Sequence, residues 1–348
     1  MECNIGGEDS LAVPSRGTLP HNFARREKFT IPTLFGKAPP MLKTRLFAVL
    51  FAAFITTVGV AAQDRKPTSS DKANFGASRT EIYKKIGKVE LKLFVFNPPE
   101  HKASDQRAAV VFFFGGGWKN GTPKQFVPQC EYLASRGMVA ITADYRVHSR
   151  HQAQVKDCVA DAKSAIRWVR ANAAKLGVDP HRIASGGGSA GGHLGAAVGT
   201  LDGFEDKNED ASVSSRPNAM LLFNPALDLR AEAFGRDPKE KRHQEFLARM
   251  GADVEKLSPT LNVHKQTPPT IIFHGKADPT VPYAQAERFA EAMKKHGLRC
   301  VVAGFEGQAH GFFNHGRNGN KNFIATMRQA DEFLISLGYL SGEPTIEK

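Results

Sequence analysis

Three residues able to do chemistry follow predicted strands, and the first is a serine between glycines. Ser189 lies in Gly187-x-Ser189-x-Gly191, where a strand predicted at 182–185 runs into a stretch that favours a helix. Glycines here allow a strand-to-helix turn sharp enough to hold the hydroxyl above a sheet. A glycine-rich turn can also bind phosphate, but the Gly-Lys-Ser/Thr of a phosphate-binding loop is absent. The pattern favours a serine nucleophile.

An acid and a base follow the serine in the order that this chemistry requires. Asp278 comes after a strand predicted at 270–274, and His310 comes after a strand predicted at 300–303. The carboxyl ends of parallel strands share one rim of a sheet, so all three side chains are expected there. We predict that His310 takes the proton of Ser189 and that Asp278 orients the imidazole.

A second glycine cluster, Gly115-Gly116-Gly117-Trp118, follows an apolar strand predicted at 108–114. Backbone N–H groups freed by such a loop can donate to an oxyanion, together with the N–H of Ala190, the residue after the nucleophile. An ordinary glycine turn is the alternative. The serine motif about 70 residues downstream favours the oxyanion function.

The remaining histidines fit structural positions better than catalytic ones. His193 follows the nucleophile by four residues on the same predicted helix, His274 ends a buried strand, and His315 follows the candidate base too closely. No HExxH motif or clustered set of His and Asp indicates a metal. The sequence therefore predicts neither a metal site nor a cofactor.

The elements that must position these residues alternate between strands and helices. Further strands are predicted at 89–96, 138–143 and 219–223, and helices at 123–136 and 152–175. A closing helix carries its apolar side chains on one face: Phe323, Met327, Ala330, Leu334 and Leu337. Such alternation predicts one α/β domain whose mostly parallel central sheet has helices on both faces.

Composition, with 41% apolar residues and 24 Phe, indicates a chain that can bury a sizeable core and gives little sign of nucleic-acid binding. Of 348 residues, 47 are basic and 35 acidic, a net charge of +12, yet no run of five Lys or Arg occurs. We therefore expect a solvated basic surface and no nucleic-acid partner. The four cysteines form neither a disulfide scaffold nor a CxxC zinc pattern.

Residues 41–62 have the three parts of a secretory signal peptide. Lys43 and Arg45 precede an apolar run of 15 residues from Leu46 to Val60, and small residues follow. The run is short for a membrane span; an uncleaved anchor and a buried helix are the alternatives. We predict a start at Met41, a mature chain beginning near Gln63, and a secreted or periplasmic protein with no stable membrane insertion after cleavage.

The predicted boundaries divide the chain into successive parts. Residues 1–40 are expected to be a non-native or disordered extension, 63–84 a flexible lead-in, and 85–340 the catalytic domain. Within it, residues 226–262 are predicted to form a small cap-like insertion with a helix carrying Phe246, Met250, Val254 and Leu257. Residues 341–348 form a tail.

Across residues 85–338 the chain resembles the α/β-hydrolase esterases of the lipase-like, hormone-sensitive-lipase and feruloyl/acetyl-esterase-like groups. Besides the segments above, the resemblance rests on Asp144-Tyr145-Arg146, Ala165-Ile166-Arg167-Trp168-Val169-Arg170, Asp179-Pro180-His181-Arg182-Ile183, His274-Gly275-x-x-Asp278-x-x-Val281-Pro282 and His310-Gly311-Phe312. It implies the α/β-hydrolase fold and hydrolysis of carboxylic esters. It also implies a triad of Ser189, Asp278 and His310, and oxyanion donors at Gly116, Gly117 and Ala190.

One departure from the family is Phe114, which stands where the family usually has a histidine before the three glycines. Backbone donors do not need that side chain, so the oxyanion hole is still expected to form. The departure affects the hydrogen bonding that rigidifies the loop.

The expected substrate is a small ester or an acylated carbohydrate. Because the predicted cap is short and charged, it offers little surface to bury a long acyl tail, and acetyl to butyryl esters are expected to react best. A peptidase of the prolyl-oligopeptidase type is an alternative, although no propeller-sized region precedes the domain. A catalytically silent hydrolase-fold binding protein is the second alternative.

Overall fold

The apolar runs of the chain assemble into an eight-stranded sheet in the computed structural model, which describes residues 74–347. The spatial order of the strands is β1-β2-β4-β3-β5-β6-β7-β8. Strand β2 pairs antiparallel with β1 and β4, and every other neighbouring pair is parallel. The strands are β1 (Arg79–Ile86), β2 (Val89–Phe96), β3 (Arg107–Phe113), β4 (Val139–Ala143), β5 (Val178–Gly188), β6 (Ala219–Phe223), β7 (Thr270–Gly275) and β8 (Cys300–Phe305).

Helices connect the parallel strands, as the alternation predicts. They are α1 (Val127–Ser135), α2 (His148–His151), α3 (Val155–Ala171), α4 (Ala173–Leu176), α5 (Ala190–Thr200), α6 (Lys241–Leu247), α7 (Ala284–Lys295) and α8 (Lys321–Ser336). Short 3-10 turns lie at Pro123–Phe126, Ala231–Phe234, Pro259–Asn262 and Asn318–Asn320. The arrangement is the predicted α/β-hydrolase fold.

Alternate residues of the central strands pack into cores on opposite faces of the sheet. In β3, Val111 and Phe113 belong to the core that includes α3 and α5, whereas Val110 and Phe112 belong to the core that includes α1 and α8. Because successive side chains of a strand point to opposite faces, a strand covered on both faces must be apolar throughout. This explains the unbroken apolar run at 108–113.

The prediction of a flexible lead-in over 63–84 is wrong for its last part, because β1 begins at Arg79. The sequence pattern does not predict this strand because several of its residues are charged. Its Lys84 is only 8% exposed, and the ammonium lies 3.2 Å from Asp161 on α3 and 2.9 Å from Asp206. These partners are distant in sequence, so the local pattern does not reveal that a lysine can be buried here. The catalytic domain therefore begins before residue 85.

The cap segment, residues 226–262, contains a shorter helix than the one predicted. Helix α6 ends at Leu247, so Met250, Val254 and Leu257 lie beyond it. Met250 and Leu257 are nevertheless buried in the same core as Phe246. Their spacing reflects burial against the domain and not one continuous helix.

The predicted N-terminal extension and signal peptide lie outside the described residues, as does the start of the lead-in. Within residues 74–347, no helix has the length and apolar character needed to cross a membrane.

Candidate active site

Ser189 sits at the turn between β5 and α5, in a backbone conformation that few residues other than glycine adopt. Its φ is 55° and its ψ is −118°. The neighbouring glycines are required by close approach: a Cβ on Gly191 would lie 2.0 Å from the carbonyl oxygen of Phe113, and Gly187 has a φ of +156°. Such a strained position persists only because the surrounding structure holds it. The turn presents the hydroxyl at the carboxyl-terminal rim of the sheet.

The three residues predicted to act together form one hydrogen-bonded chain. His310 Nε2 lies 2.9 Å from Ser189 Oγ, and His310 Nδ1 lies 2.7 Å from Asp278 Oδ2. Because a carboxylate accepts hydrogen bonds, Nδ1–H donates to Asp278, which leaves Nε2 free to accept the serine proton. The rim thus carries a nucleophile, a base and an orienting acid in contact.

Asp278 is held ionised by donors on several sides. Its Oδ1 accepts hydrogen bonds from the backbone N–H groups of Thr280 and Val281, at 2.8 and 3.0 Å. Burial by itself would raise the pKa of this carboxyl, but hydrogen bonds from His274, His310 and Val281 outweigh it and keep the pKa well below the ordinary value. Asp278 therefore retains its negative charge beside the imidazole.

His274 supports Asp278 from inside the domain, a role that the sequence does not reveal. Its Nε2 lies 2.9 Å from the carbonyl oxygen of Val281 and 3.4 Å from Asp278 Oδ2. Both partners are acceptors, so Nε2 carries the hydrogen. The side chain fixes the loop on which Asp278 lies.

Asn224, which directly follows β6, fixes the loop of the base. Its Oδ1 accepts a hydrogen bond of 2.8 Å from the backbone N–H of Gly311. The adjacent His310 side chain is 23% exposed, so it can reach a substrate. An asparagine after a strand carries no distinctive signal, and the sequence does not single it out.

Two backbone segments supply candidate oxyanion donors. The N–H of Ala190 lies in the first turn of α5, where backbone donors have no acceptor within the helix. Gly116 and Gly117 form a turn with φ values of +124° and +61°, and a Cβ on Gly116 would lie 2.2 Å from the carbonyl oxygen of Asn120. Gly117 and Ala190 both line the cavity that reaches Ser189. Gly116 lines the groove on the other side of Ser189, so all three predicted donor residues border cavities that include the nucleophile.

The loop carrying these glycines is braced without a histidine at position 114. Gln125 Oε1 accepts a 2.6 Å hydrogen bond from the N–H of Gly115, and its amide donates to Asn314. The Tyr145 hydroxyl donates to the carbonyl of Phe114 at 2.7 Å, and the two rings stack with centroids 4.2 Å apart. Gln125 and Tyr145 therefore supply the rigidity that the substitution at 114 puts in question.

Ser189 lies between two cavities of different size. A small cavity of about 210 Å³ extends toward the cap segment, and its lining includes Trp118, Phe234 and Phe246. A wide groove of about 770 Å³ extends the other way, past His310 and Asn314. An ester bound at Ser189 can therefore place one of its two parts in each.

His193 and His315, for which the sequence also predicts structural positions, make structural contacts. His193 Nε2 lies 2.8 Å from the carbonyl oxygen of Leu257 in the cap segment, and burial lowers the pKa of this imidazole to about 4. His315 packs edge-on against Phe323. In the described part of the chain, no group of three or more His, Cys, Asp or Glu is placed to hold a metal ion.

Comparison with known proteins agrees with this geometry. The model of the BD-FAE family matches residues 93–293, which hold Ser189, Asp278 and the glycine loop. This chain belongs to the BD-FAE family. This membership confirms the prediction that the chain is an α/β-hydrolase of the esterase type.

Solved structures similar to this BD-FAE chain include those of esterase 2 from Thermogutta terrifontis. The apo form is 52% identical, has a TM-score of 0.73, and the match covers 77% of this chain and 98% of that one. The form phosphonylated by sarin is 51% identical with a TM-score of 0.73, covering 77% and 97%.

A curated relative is esterase LipC of Mycobacterium tuberculosis, 30% identical over 222 residues, which are 58% of this chain and 52% of that protein. The BD-FAE chain spans about half the length of the curated relatives it matches.

Proposed function

We propose that this protein hydrolyses carboxylic esters with short acyl groups through an acyl-enzyme formed on Ser189. The observation that carries the proposal is the unbroken hydrogen-bonded chain from Ser189 through His310 to Asp278. This arrangement also argues against a catalytically silent binding protein.

The reaction proceeds in two half-reactions. His310 Nε2 takes the proton of Ser189 while Oγ attacks the ester carbon, and the N–H groups of Gly116, Gly117 and Ala190 hold the oxyanion. The imidazolium then gives its proton to the alkoxide oxygen as the alcohol leaves. In the second half, His310 deprotonates a water that attacks the acyl-enzyme, and Ser189 regains its proton as the acid departs. The charge of Asp278 stabilises the imidazolium in both halves.

The position of His310 assigns the two parts of the ester to the two cavities. The base must protonate the leaving oxygen, so the alcohol lies on the side of His310, in the wide groove. The acyl group then occupies the small cavity toward Trp118 and Phe246, whose lining does not include His310. We refer to this small cavity as the acyl cavity.

The size of the acyl cavity supports a preference for short acyl groups. A methylene group contributes about 0.8 kcal/mol only when it is buried, and carbons beyond about 210 Å³ of space gain no apolar surface. Thermogutta terrifontis esterase 2 has been solved with propionate and with butyrate bound. The groove lining includes Lys124, Gln125 and Asn314, which suit a hydroxylated alcohol such as a sugar.

A series of p-nitrophenyl esters from acetyl to palmitoyl, measured beside acetylated xylan and a feruloylated sugar, tests this proposal. We expect kcat/KM to be highest for acetyl to butyryl esters, and acetylated xylan to be cleaved. Ser189→Ala should lower kcat by about 10³-fold or more without unfolding the protein, because only the nucleophilic oxygen is lost. A rate that climbs to palmitoyl would contradict the short acyl cavity. Activity of the variant above a few per cent would contradict the nucleophile.

We also propose that the protein is exported, on the basis of the basic, apolar and small-residue segments within residues 41–62. N-terminal sequencing of the protein made by its native host should give a chain that begins near Gln63. Recovery of residues 1–40 on a cytoplasmic protein would overturn both the export and the start at Met41.

A further inference from the structure

The acyl cavity carries a concentration of positive charge on its cap side. Arg236, Arg242 and Arg249 all line it, together with the aromatic side chains Phe234 and Phe246. No acidic residue belongs to this lining. A pocket that held only alkyl chains would not need three guanidinium groups beside it.

These arginines form no direct ion pair with a carboxylate of the described residues. Within residues 74–347, neither Arg236 nor Arg242 forms an ion pair, whereas nearby Arg230 pairs with Asp228 at 2.8 Å. Arg249 donates to the carbonyl of Gly117 at 3.1 Å, a contact that leaves its charge uncompensated. The positive charges therefore line the cavity without a direct ion pair to a carboxylate of residues 74–347.

Arg236 is positioned by aromatic packing. Its guanidinium carbon lies 4.5 Å from the centroid of the Phe234 ring and 5.8 Å from that of Phe246. Burial, and then the like charge of Arg242, lower the pKa of Arg236, while Glu240 acts in the opposite direction. The repulsion between like charges held close together decreases when an anion binds between them.

A buried donor in the same lining also lacks a partner. Trp118 is 4% exposed, and its indole N–H has no hydrogen-bond acceptor among the described residues. A buried donor without an acceptor costs free energy, so this part of the cavity wall is not fully satisfied by the described residues.

We infer that the acyl cavity binds an acyl group ending in a carboxylate, so that the preferred substrates are half-esters of short dicarboxylic acids such as succinate. A guanidinium pairs with a carboxylate through paired N–H donors, which suits Arg236 and Arg242. The inference rests on the proposed ester hydrolysis and on the placement of the acyl group away from His310.

The test compares monoethyl succinate with ethyl butyrate, which share the alcohol and a four-carbon acyl chain and differ in the terminal carboxylate. The readout is the ratio of the two kcat/KM values at low salt, with acid release followed by chromatography. We expect the ratio to exceed one in the native protein. Arg236→Gln and Arg242→Gln should each lower it by about tenfold, since a hydrogen bond to a charged group is worth about 1.5 kcal/mol or more.

Two controls separate charge from structure. Lys239→Gln removes a positive charge from the same segment at an exposed position outside the cavity lining and should leave the ratio unchanged. Arg236→Lys should restore part of the ratio. Salt should lower the ratio in the native protein more than in the glutamine variants.

The outcomes distinguish this inference from the function on which it rests. If neither ester is hydrolysed, the proposed function fails. If ethyl butyrate is hydrolysed and the ratio is the same in the native protein and both glutamine variants, the function stands and the carboxylate site is overturned.

Discussion

The triad loops and the cap segment meet at Ser189 but are held in place by different means. In the triad loops local features dominate: the glycines of the Ser189 turn, the backbone donors to Asp278 and the strands that the loops follow, with Asn224 as a distant support of the His310 loop. The cap segment depends on partners from distant elements. His193 of α5 contacts the carbonyl of Leu257, and Gln285 of α7 accepts the N–H of Leu227 at 2.9 Å.

This difference separates chemistry from specificity. In the proposed mechanism the triad loops contain the atoms that make and break bonds, and motifs that follow strands largely set their arrangement. The cap segment supplies Phe234, Phe246 and the arginines that shape the acyl cavity. A family can therefore alter its substrates by changing the cap while the reaction stays the same.

The largest effect in the triad loops is expected for Asp278→Asn. The amide cannot stabilise the imidazolium and favours the wrong imidazole tautomer, so kcat should fall by about 10³- to 10⁴-fold. Steady-state kinetics with p-nitrophenyl acetate measure this loss. Asp237→Asn, at an exposed position of the cap segment, is the control and should keep kcat near the native value. A fall of less than tenfold for Asp278→Asn would remove Asp278 from the triad.

A smaller but still large effect is expected for Gly191→Ala. The new Cβ would lie 2.0 Å from the carbonyl oxygen of Phe113, so the turn that presents Ser189 must shift. A displacement of about 1 Å costs about 10²-fold in rate. Gly297→Ala is the control, because Gly297, unlike Gly191, has a positive φ of +69° but has no atoms near the added Cβ. It should cost about 1 kcal/mol of stability and leave the kinetics unchanged. Equal rates for both variants would show that the turn is not held by close packing.

The hydrogen bond between His193, on the helix that follows Ser189, and the cap segment should make the stability of the protein depend on pH. Folding favours its neutral form, because the pKa falls from 6.5 to about 4 on burial. Neutral His193 therefore makes its full contribution to folding stability above pH 6.5, and this contribution is lost as the pH falls from 6.5 toward 4. A difference of that size corresponds to about 3 kcal/mol of unfolding free energy.

His193→Gln keeps a donor for the carbonyl of Leu257 but cannot titrate. Urea unfolding between pH 7 and pH 4 should show a flatter dependence for this variant than for the native protein. His296→Gln, at an exposed position after α7, should follow the native curve. Parallel curves for His193→Gln and the native protein would contradict the burial of a neutral imidazole.

The same contrast explains how much of the fold and the site the sequence predicts. Strands β2 and β6 lie at their predicted bounds because apolar patterns alone identify them, and the order Ser189, Asp278, His310 follows from motifs after strands. Strand β1 escapes prediction because the partners of Lys84 lie on distant elements.

The supports of the site also lack a signal in the sequence. Asn224 acts on a loop 87 residues away, whereas His274 and Gln125 act within ten residues but through backbone groups that carry no motif. The predicted length of α6 was wrong, because apolar residues at helical spacing in the cap segment are buried against the domain without forming one continuous helix. What depends on local backbone geometry could be predicted, and what depends on tertiary contacts could not.

Covalent labelling with a fluorophosphonate probe tests the activated serine most directly. The probe reacts with a serine only when a base removes its proton and donors stabilise the phosphoryl oxygen, so it reports the whole constellation. We predict one label per native chain, located by peptide mass spectrometry on Ser189, and none in Ser189→Ala. A native protein that hydrolyses p-nitrophenyl acetate while remaining unlabelled, or that is labelled at another residue, would contradict the account.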